Sequence, residues 1–168
     1  MYQNKKIDFV ITVFCLLLLS PKLYPQQNNS YIRDSVKVRT LLVTADDCIK
    51  SASANCSENL RAALKISAAL GSPFLKSLCY SAFANAERRN RTALLFTYDS
   101  LSIGNARSSK NDSLLIRRLL NLADDFCTVN RPEKAKHLID ELLQLLEKKD
   151  DKQLMLLAIQ YGSLRLSA

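Results

Sequence analysis

The 168-residue sequence contains few of the residues that mark turns: three glycines and four prolines, with no tryptophan. A fold of many short strands needs a turn between successive strands, and glycine and proline supply many of those turns. Their scarcity therefore argues against a many-stranded β fold. Residues that favour helices (alanine, leucine, lysine, arginine and glutamate) recur throughout. We predict an all-α fold, and the length suits one domain with its own hydrophobic core.

The sequence also lacks the patterns of common catalytic and metal sites. It contains one histidine, His137, and no Cys-x-x-Cys, HExxH, GxSxG or glycine-rich phosphate loop. Neighbours in a helix point about 100° apart, so the adjacent acidic pairs do not form a carboxylate dyad. We interpret those pairs, and His137, as caps and solvated surface; the pairs are Asp46-Asp47, Asp124-Asp125 and Asp150-Asp151. We predict a protein that is not an enzyme and binds no cofactor or metal.

The N-terminus has the pattern of an export signal. Lys5 and Lys6 precede an apolar run, 9–19, interrupted by Thr12, and a polar stretch follows. The run is short for a membrane span, which needs about 20 residues. We predict a signal peptide at 1–25, a polar linker at 26–33 and a helical domain at 34–168. The protein is then periplasmic or otherwise extracytoplasmic, with inner-membrane anchoring by an uncleaved signal as the alternative.

Four cysteines follow the predicted signal: Cys48, Cys56, Cys79 and Cys127. An even number in an exported protein is compatible with disulfides, and Cys48 and Cys56 could close a helix–helix corner. Free cysteines also behave as small core residues. Of the two interpretations we prefer buried thiols.

The formal net charge is +8, and the excess lies in the first half of the predicted domain. Residues 33–110 carry 12 basic and 6 acidic side chains, whereas 111–168 carry 9 of each. Such a surface could meet an acidic protein, an anionic lipid surface or nucleic acid. We favour ordinary solvated helix faces, and we place Arg88, Arg89 and Arg91 at a helix–helix corner. Export and the lack of interleaved aromatics argue against nucleic acid.

An internal repeat organises the chain. Residues 119–126 and 154–161 both have the form Leu-x-x-Leu-Ala-x-x-aromatic, about 35 residues apart. Three further sets of residues are each spaced to share one helix face. They follow one another at offsets of about 37 and 42 residues. These sets are Cys56, Leu60 and Ala63; Ala93, Thr97 and Ser100; and Ala135, Ile139 and Leu142.

Over about 35–168 the chain resembles the tetratricopeptide repeat (TPR) family, with its period of 34 residues. The first part of the TPR signature is Trp-x-x-Leu-Gly-x-x-Tyr. In a weaker unit its positions are taken by Ser77, Tyr80, Ser81 and Ala84. No unit has the signature tryptophan or the closing proline. The resemblance implies a right-handed superhelix of antiparallel helix pairs, about three and a half repeats long. It also implies a groove, lined by the first helix of each pair, that binds a protein or peptide. By alignment of the units, the groove residues are Asn85, Arg117, Leu120, Asp124, Met155 and Ile159.

We predict seven helices joined by short loops. Their expected bounds are 34–50, 56–70, 73–89, 91–106, 112–128, 132–148 and 152–166. Ser72 before Pro73 is a good N-cap, and Gly71 suits a helix C-terminus. The stretches 109–112 and 130–133 resemble capping boxes.

The predicted last helix lacks a partner helix. It could cap the array, make a homodimer, or be followed by more repeats in a longer protein. The last option fits a narrower resemblance, to the exported N-terminal sensor region of bacterial TPR signalling proteins. That resemblance implies a recognition module for signal transduction without its output domain. The alternative function is a structural or assembly protein that homodimerises through the last helix.

Overall fold

A computed structural model describes residues 24–51, 56–90, 92–149, 156 and 159. In these residues the fold is all-α, as predicted, with six long helices and no strand. The helices are α1 (Tyr24–Lys50), α2 (Cys56–Ala69), α3 (Pro73–Asn90), α4 (Leu94–Ser108), α5 (Asp112–Thr128) and α6 (Pro132–Lys148).

The helices associate as three consecutive hairpins. The closest packing joins α1 to α2, α3 to α4 and α5 to α6, and short loops make the two helices of each pair antiparallel. Weaker contacts join α2 to α3 and α4 to α5, and α1 also touches α3. The first helices of the first two hairpins therefore lie side by side, which creates the surface described below.

Residues with left-handed backbone end α2, α4 and α5. Gly71 (φ 61°), Lys110 (φ 54°) and Asn130 (φ 56°) each stand two positions after the last residue of a helix. At Gly71 the amide donates to Ala68, and the next amide donates to Ser67. Asn130 repeats the same pair of bonds, so both are Schellman C-caps. These caps turn the chain tightly, and the following helix can pack back against the one before.

Besides a smaller apolar cluster between α5 and α6, the core of the described residues consists of two larger ones, both in contact with α3. One joins α1, α2 and α3 around Val38, Ala63 and Leu75, and the other joins α4, α5 and α6 around Leu119 and Leu142. Phe74 and Leu78 of α3 pack against both clusters. The repeat positions of α6 (Ala135, Ile139 and Leu142) and of α5 (Leu119, Leu122 and Ala123) are buried, which confirms their predicted inward direction.

The start of α1 and the caps of α5 and α6 differ from the predictions. α1 begins at Tyr24 rather than Asp34, so residues 26–33, predicted as a linker, are helical. This stretch contains no glycine or proline that would break a helix. The hydroxyl of Tyr31 donates a hydrogen bond to the hydroxyl of Ser72 at the start of α3 (3.4 Å). In α5 the cap is Asn111, whose side chain accepts from the Leu114 amide, and not Ser109. In α6 the cap position is Arg131 and has no side-chain bond, because Asn130 closes the preceding helix.

The predicted inward face of α4 is wrong. Ala93, Thr97 and Ser100 are exposed. The buried face carries Leu95, Asp99, Ser102, Ile103 and Ala106. A lone buried carboxylate is unfavourable. Asp99 is buried 3.3 Å from Nη2 of Arg88 on α3, and this cation allows the carboxyl to lie on the inward face of α4.

Cys48 and Cys56 form a disulfide that closes the corner between α1 and α2. This corrects the preferred interpretation of that pair as buried thiols. Cys79 is a buried thiol in the core of the first cluster, as expected. Cys127 is half-buried and packs against α6.

The predicted signal peptide lies almost entirely outside the described residues, as does most of the predicted seventh helix. Of that helix, Leu156 and Ile159 are helical and exposed. Among the helices of the described residues, none combines the length and the apolar character that crossing a membrane requires.

Candidate functional site

A groove of about 510 Å³ runs between α1 and α3 and ends against α5. It lies on the side formed by the first helices of the three hairpins. Its lining comes from α1 (Arg39, Leu42, Val43 and Asp46), from α3 (Phe74, Leu78, Ser81, Ala82 and Asn85) and from α5 (Arg118). A volume of this size is within the range of about 300–1,000 Å³ that is usual for ligand pockets.

The floor of the groove is apolar and is continuous with the core. Leu42, Phe74 and Leu78 are partly buried and pack against the core clusters on their inner side. Val43 stands at the rim and keeps 62% of its surface exposed. Apolar side chains with one face in the core and one in a groove are held rigidly and offer a preformed contact surface.

The charged lining is cationic once its internal ion pair is counted. Asp46, the carboxylate of the lining, pairs with Lys50 one turn further along α1 (2.6 Å). No carboxylate of the described residues lies within ion-pair distance of Arg39, which is exposed. Arg39 and Arg118 therefore leave the groove with a positive balance.

Arg118 is the one side chain of the groove lining that combines a charge with near-complete burial, with 8% of its surface exposed. Its Nη1 donates to the hydroxyl of Ser81 on α3. Its Nε is buried and has no hydrogen-bond partner among the described residues. Burial, then the neighbouring Arg117, lowers the pKa of Arg118 to about 10, so the guanidinium remains charged at neutral pH.

Behind the groove, a buried ion cluster joins three helices. Arg88 of α3 binds the carboxylate of Asp125 of α5 through Nε (2.7 Å) and Nη2 (2.5 Å). The same Nη2 lies 3.3 Å from Asp99 of α4. Nη1 of Arg88 donates to Asn85, which lines the groove. Asn85 therefore connects the cluster to the groove.

Asp99 and Asp125 both lie against Arg88, and the burial of Asp99 beside this second carboxyl favours the protonated form of Asp99. Burial, a hydrogen bond shared with Asp125 and the charge of Asp125 raise the pKa of Asp99 to about 7, although Arg88 and Arg118 act in the opposite direction. Asp99 therefore retains its proton over much of the range in which ordinary carboxyls are ionised. With Asp99 neutral, Asp125 alone opposes the two cations Arg88 and Arg118.

The structure places the sequence-predicted groove residues in different surroundings. Asn85 lines the groove. Arg117 is exposed and is not part of the lining, whereas its neighbour Arg118 is. Leu120 is partly buried against the core. Asp124 lies near enough to Arg88 for its charge to help raise the pKa of the Arg88 guanidinium. Ile159 is exposed, and Met155 lies outside the described residues.

Sequence reasoning missed the polar residues that build the site: Arg88, Asp99, Arg118 and Asp125. Arg88 lies at the corner between α3 and α4, as predicted, but its side chain pairs with Asp125. The interpretation of Asp125 as solvated surface is wrong, because only 5% of its surface is exposed. A signal was present in the spacing, since Ser81–Arg118 and Arg88–Asp125 are both separated by 37 residues. That separation is close to the repeat period, so both pairs join equivalent helices of successive units. His137 is exposed, as predicted.

A second depression, of about 530 Å³, lies among α2, α3 and α4. It is lined by Arg61, Leu64, Lys65, Ala68, Lys76, Tyr80 and Asn105. Its cations are exposed or half-buried, and none has a buried donor without a partner. Such a surface is typical of solvated lysines and arginines, and the groove at Arg118 is the better candidate site.

No protein-family model, no curated protein and no solved structure matches this chain significantly.

Proposed function

We propose that the chain is an exported scaffold of TPR type that binds a protein or peptide in the groove between α1 and α3. The observation that carries the proposal is the groove itself, with a rigid apolar floor and a few oriented polar groups. Sites that bind ligands share these features. The three helix hairpins and the resemblance of the repeat units to the TPR family support the same function, as does the groove's position on the first helices.

Export is supported by the Cys48–Cys56 disulfide, because such bonds persist mainly in oxidising compartments. The basic and apolar N-terminal pattern points the same way. A sensory role, with the scaffold as the receiving module of a signalling protein, is the more specific form of the proposal and rests on the resemblance alone.

Selection from a random peptide library displayed on phage, with the purified full chain immobilised, tests the proposal. Val43 lines the groove and Val36 does not, although both are exposed valines of α1. We expect enriched peptides to lose binding to Val43→Glu and to keep binding to Val36→Glu. Because both substitutions introduce one carboxylate at an exposed position of the same helix, they differ mainly in place.

If no peptide is enriched, or if the two variants bind equally well, the groove is not the binding surface. Circular dichroism of each variant shows whether the helices remain intact. Equal helix content with unequal binding is the result that supports the proposal.

A homodimer through the last helix is the second candidate. It is favoured by Leu156 and Ile159, which expose 62% and 50% of their surfaces. Light scattering coupled to size-exclusion chromatography decides this point. A monomer at high micromolar concentration contradicts the assembly function and leaves the groove function standing.

A further inference from the structure

We propose that the occupant of the groove is a peptide segment with an acidic side chain flanked by apolar residues, and that the Nε edge of Arg118 binds its carboxylate. This inference rests on the proposed function and names the chemistry of the partner. It follows from the unmet hydrogen-bonding capacity of one buried side chain, the charge around it and the apolar surface beside it.

The first argument is the unpartnered donor. A buried donor without an acceptor costs about 1–3 kcal/mol, more when it is charged, so few such groups persist in folded proteins. Nε of Arg118 is such a group, and its side chain forms part of the groove wall. Nε and Nη2 of a guanidinium point in the same direction, so one carboxylate can accept from both. Because Nε is closed to water in this structure, the edge must move slightly toward the groove before a ligand carboxylate can supply what the described residues do not.

The orientation of the guanidinium is already set. Ser81 of α3 accepts a hydrogen bond from Nη1 and so turns the opposite edge away from that helix. Arg118 keeps only 8% of its surface exposed, so few other rotamers are open to it. A side chain that is already restricted loses little conformational entropy when a ligand binds, and this favours specific recognition over loose charge attraction.

The second argument is the balance of charge. Asp46 is taken by Lys50, and Asp125 is taken by Arg88, so neither neutralises Arg118 directly. Asp99 is the remaining buried carboxyl beside Arg88, and its burial raises its pKa to about 7, which reduces its negative charge near neutral pH. A positive charge thus remains at the buried end of the groove, and Arg39 adds a second at the exposed part. An anionic group complements both.

The third argument separates a peptide from a small free anion. Four apolar side chains line the same groove: Leu42, Val43, Phe74 and Leu78. A lone carboxylate or phosphate would leave this surface in water, whereas apolar side chains on either side of the acidic residue would cover it. Burial of apolar surface contributes about 25 cal/mol per Å², so the flanking residues add affinity that a free anion lacks.

The experiment follows the Arg118 Nε–Hε signal by NMR in full-length protein labelled with ¹⁵N-arginine. The signal is assigned by its loss in Arg118→Met. The probes are acetyl-Leu-Leu-Glu-Leu-Leu-amide, the same peptide with Gln in place of Glu, and sodium acetate. Arg117→Met serves as the matched control, since Arg117 is the adjacent arginine on the exposed side of α5.

We expect the Glu peptide to shift the Arg118 signal and to bind about tenfold more tightly than the Gln peptide, as the loss of one charge-assisted bond predicts. Arg118→Met should remove that preference, and Arg117→Met should keep it. Acetate should produce the shift only at much higher concentration. If acetate binds as tightly as the Glu peptide, the site takes a free small anion and the peptide proposal is overturned.

Equal binding of the Glu and Gln peptides, or an Arg118 signal that neither peptide moves, also overturns the inference. A failure of the proposed function is recognised by a different experiment: phage selection enriches no peptide, or Val43→Glu and Val36→Glu bind equally well. Peptides that need Val43 but show no preference for Glu would keep the groove function and remove the role of Arg118. If Arg118→Met folds poorly, Arg118→Lys, which keeps the charge and lacks the guanidinium, supplies the assignment and the comparison.

Discussion

Arg88 and Asp125 form a two-point ion pair between the first helices of the second and third hairpins, with Nε–Oδ1 at 2.7 Å and Nη2–Oδ2 at 2.5 Å. The bond from Arg118 to Ser81 joins the same two helices in the opposite direction, from α5 to α3. These polar bridges lie beside the groove and connect elements that are distant in sequence. They hold Arg118 in place, so the stability of the fold and the chemistry of the groove depend on the same contacts.

The pair should contribute more to stability than an exposed pair of similar geometry. We expect Asp125→Asn to lower the free energy of unfolding by about 2–4 kcal/mol, because it leaves Arg88 without its main partner in a largely buried place. Arg107 and Glu141 also form a two-point pair, but Arg107 is half exposed. Glu141→Gln should therefore cost no more than about 1 kcal/mol. Urea denaturation measures both, and equal losses would contradict this difference.

Stability should fall as the pH rises from about 4 to about 7, through the contribution of Asp99. The folded protein holds the proton of Asp99 up to a pKa of about 7, against an ordinary value of 3.8, whereas the unfolded chain releases it earlier. The slope is at most about 1.4 kcal/mol per pH unit for one proton. Above pH 7 the contribution of Asp99 no longer changes.

Asp99→Asn is the control for this pH effect, since it replaces the carboxyl with a neutral group of similar shape. Its unfolding free energy, measured in urea at a series of pH values, should show a flatter profile between about pH 4 and 7. A variant with the same slope as the wild type would mean that another group, not Asp99, holds the proton.

Reduction of the Cys48–Cys56 bond should destabilise the protein. The bond closes a loop between residues 8 positions apart. The chain-entropy estimate for such a loop is about 2–3 kcal/mol. Thermal denaturation with and without dithiothreitol measures the effect. The double variant Cys48→Ser with Cys56→Ser should match the reduced wild type and should not respond to dithiothreitol; a response would place the reducible bond elsewhere.

The contact between α3 and α4 should tolerate no large side chain at Ser102. Ser77 and Ser102 each donate to the other's backbone carbonyl (both 2.8 Å), and both are fully buried. Ser102→Leu should separate the helices and lower the free energy of unfolding by about 1–3 kcal/mol or more. Ser100→Leu makes the same change on the exposed face of α4 and should have little effect. If Ser100→Leu destabilised the protein and Ser102→Leu did not, the inward face of α4 would be the one predicted from the repeat pattern.

The best-predicted elements are those whose signals are local. The bounds of α5 and α6 agree with the predicted ones, since both begin at Asn, Asp or Pro residues and follow a strong apolar period. Ser72 caps α3 through its bond with the Leu75 amide, and Gly71 ends α2, as expected from the sequence. The predicted start of α1 at Asp34 is too late, because the polar composition of 26–33 indicates a linker although this stretch contains no glycine or proline.

The sequence by itself determined an all-α chain of short-looped helices, because helix propensity, capping and the spacing of apolar residues act within a few turns of the chain. The buried direction of α4, the Cys48–Cys56 bond and the Arg88–Asp99–Asp125 cluster were decided only by tertiary structure. A charged residue enters a core only when its partners arrive from other helices, and their arrival is a property of packing. For the same reason the unpartnered Nε of Arg118 emerges only once α3 and α5 are packed together.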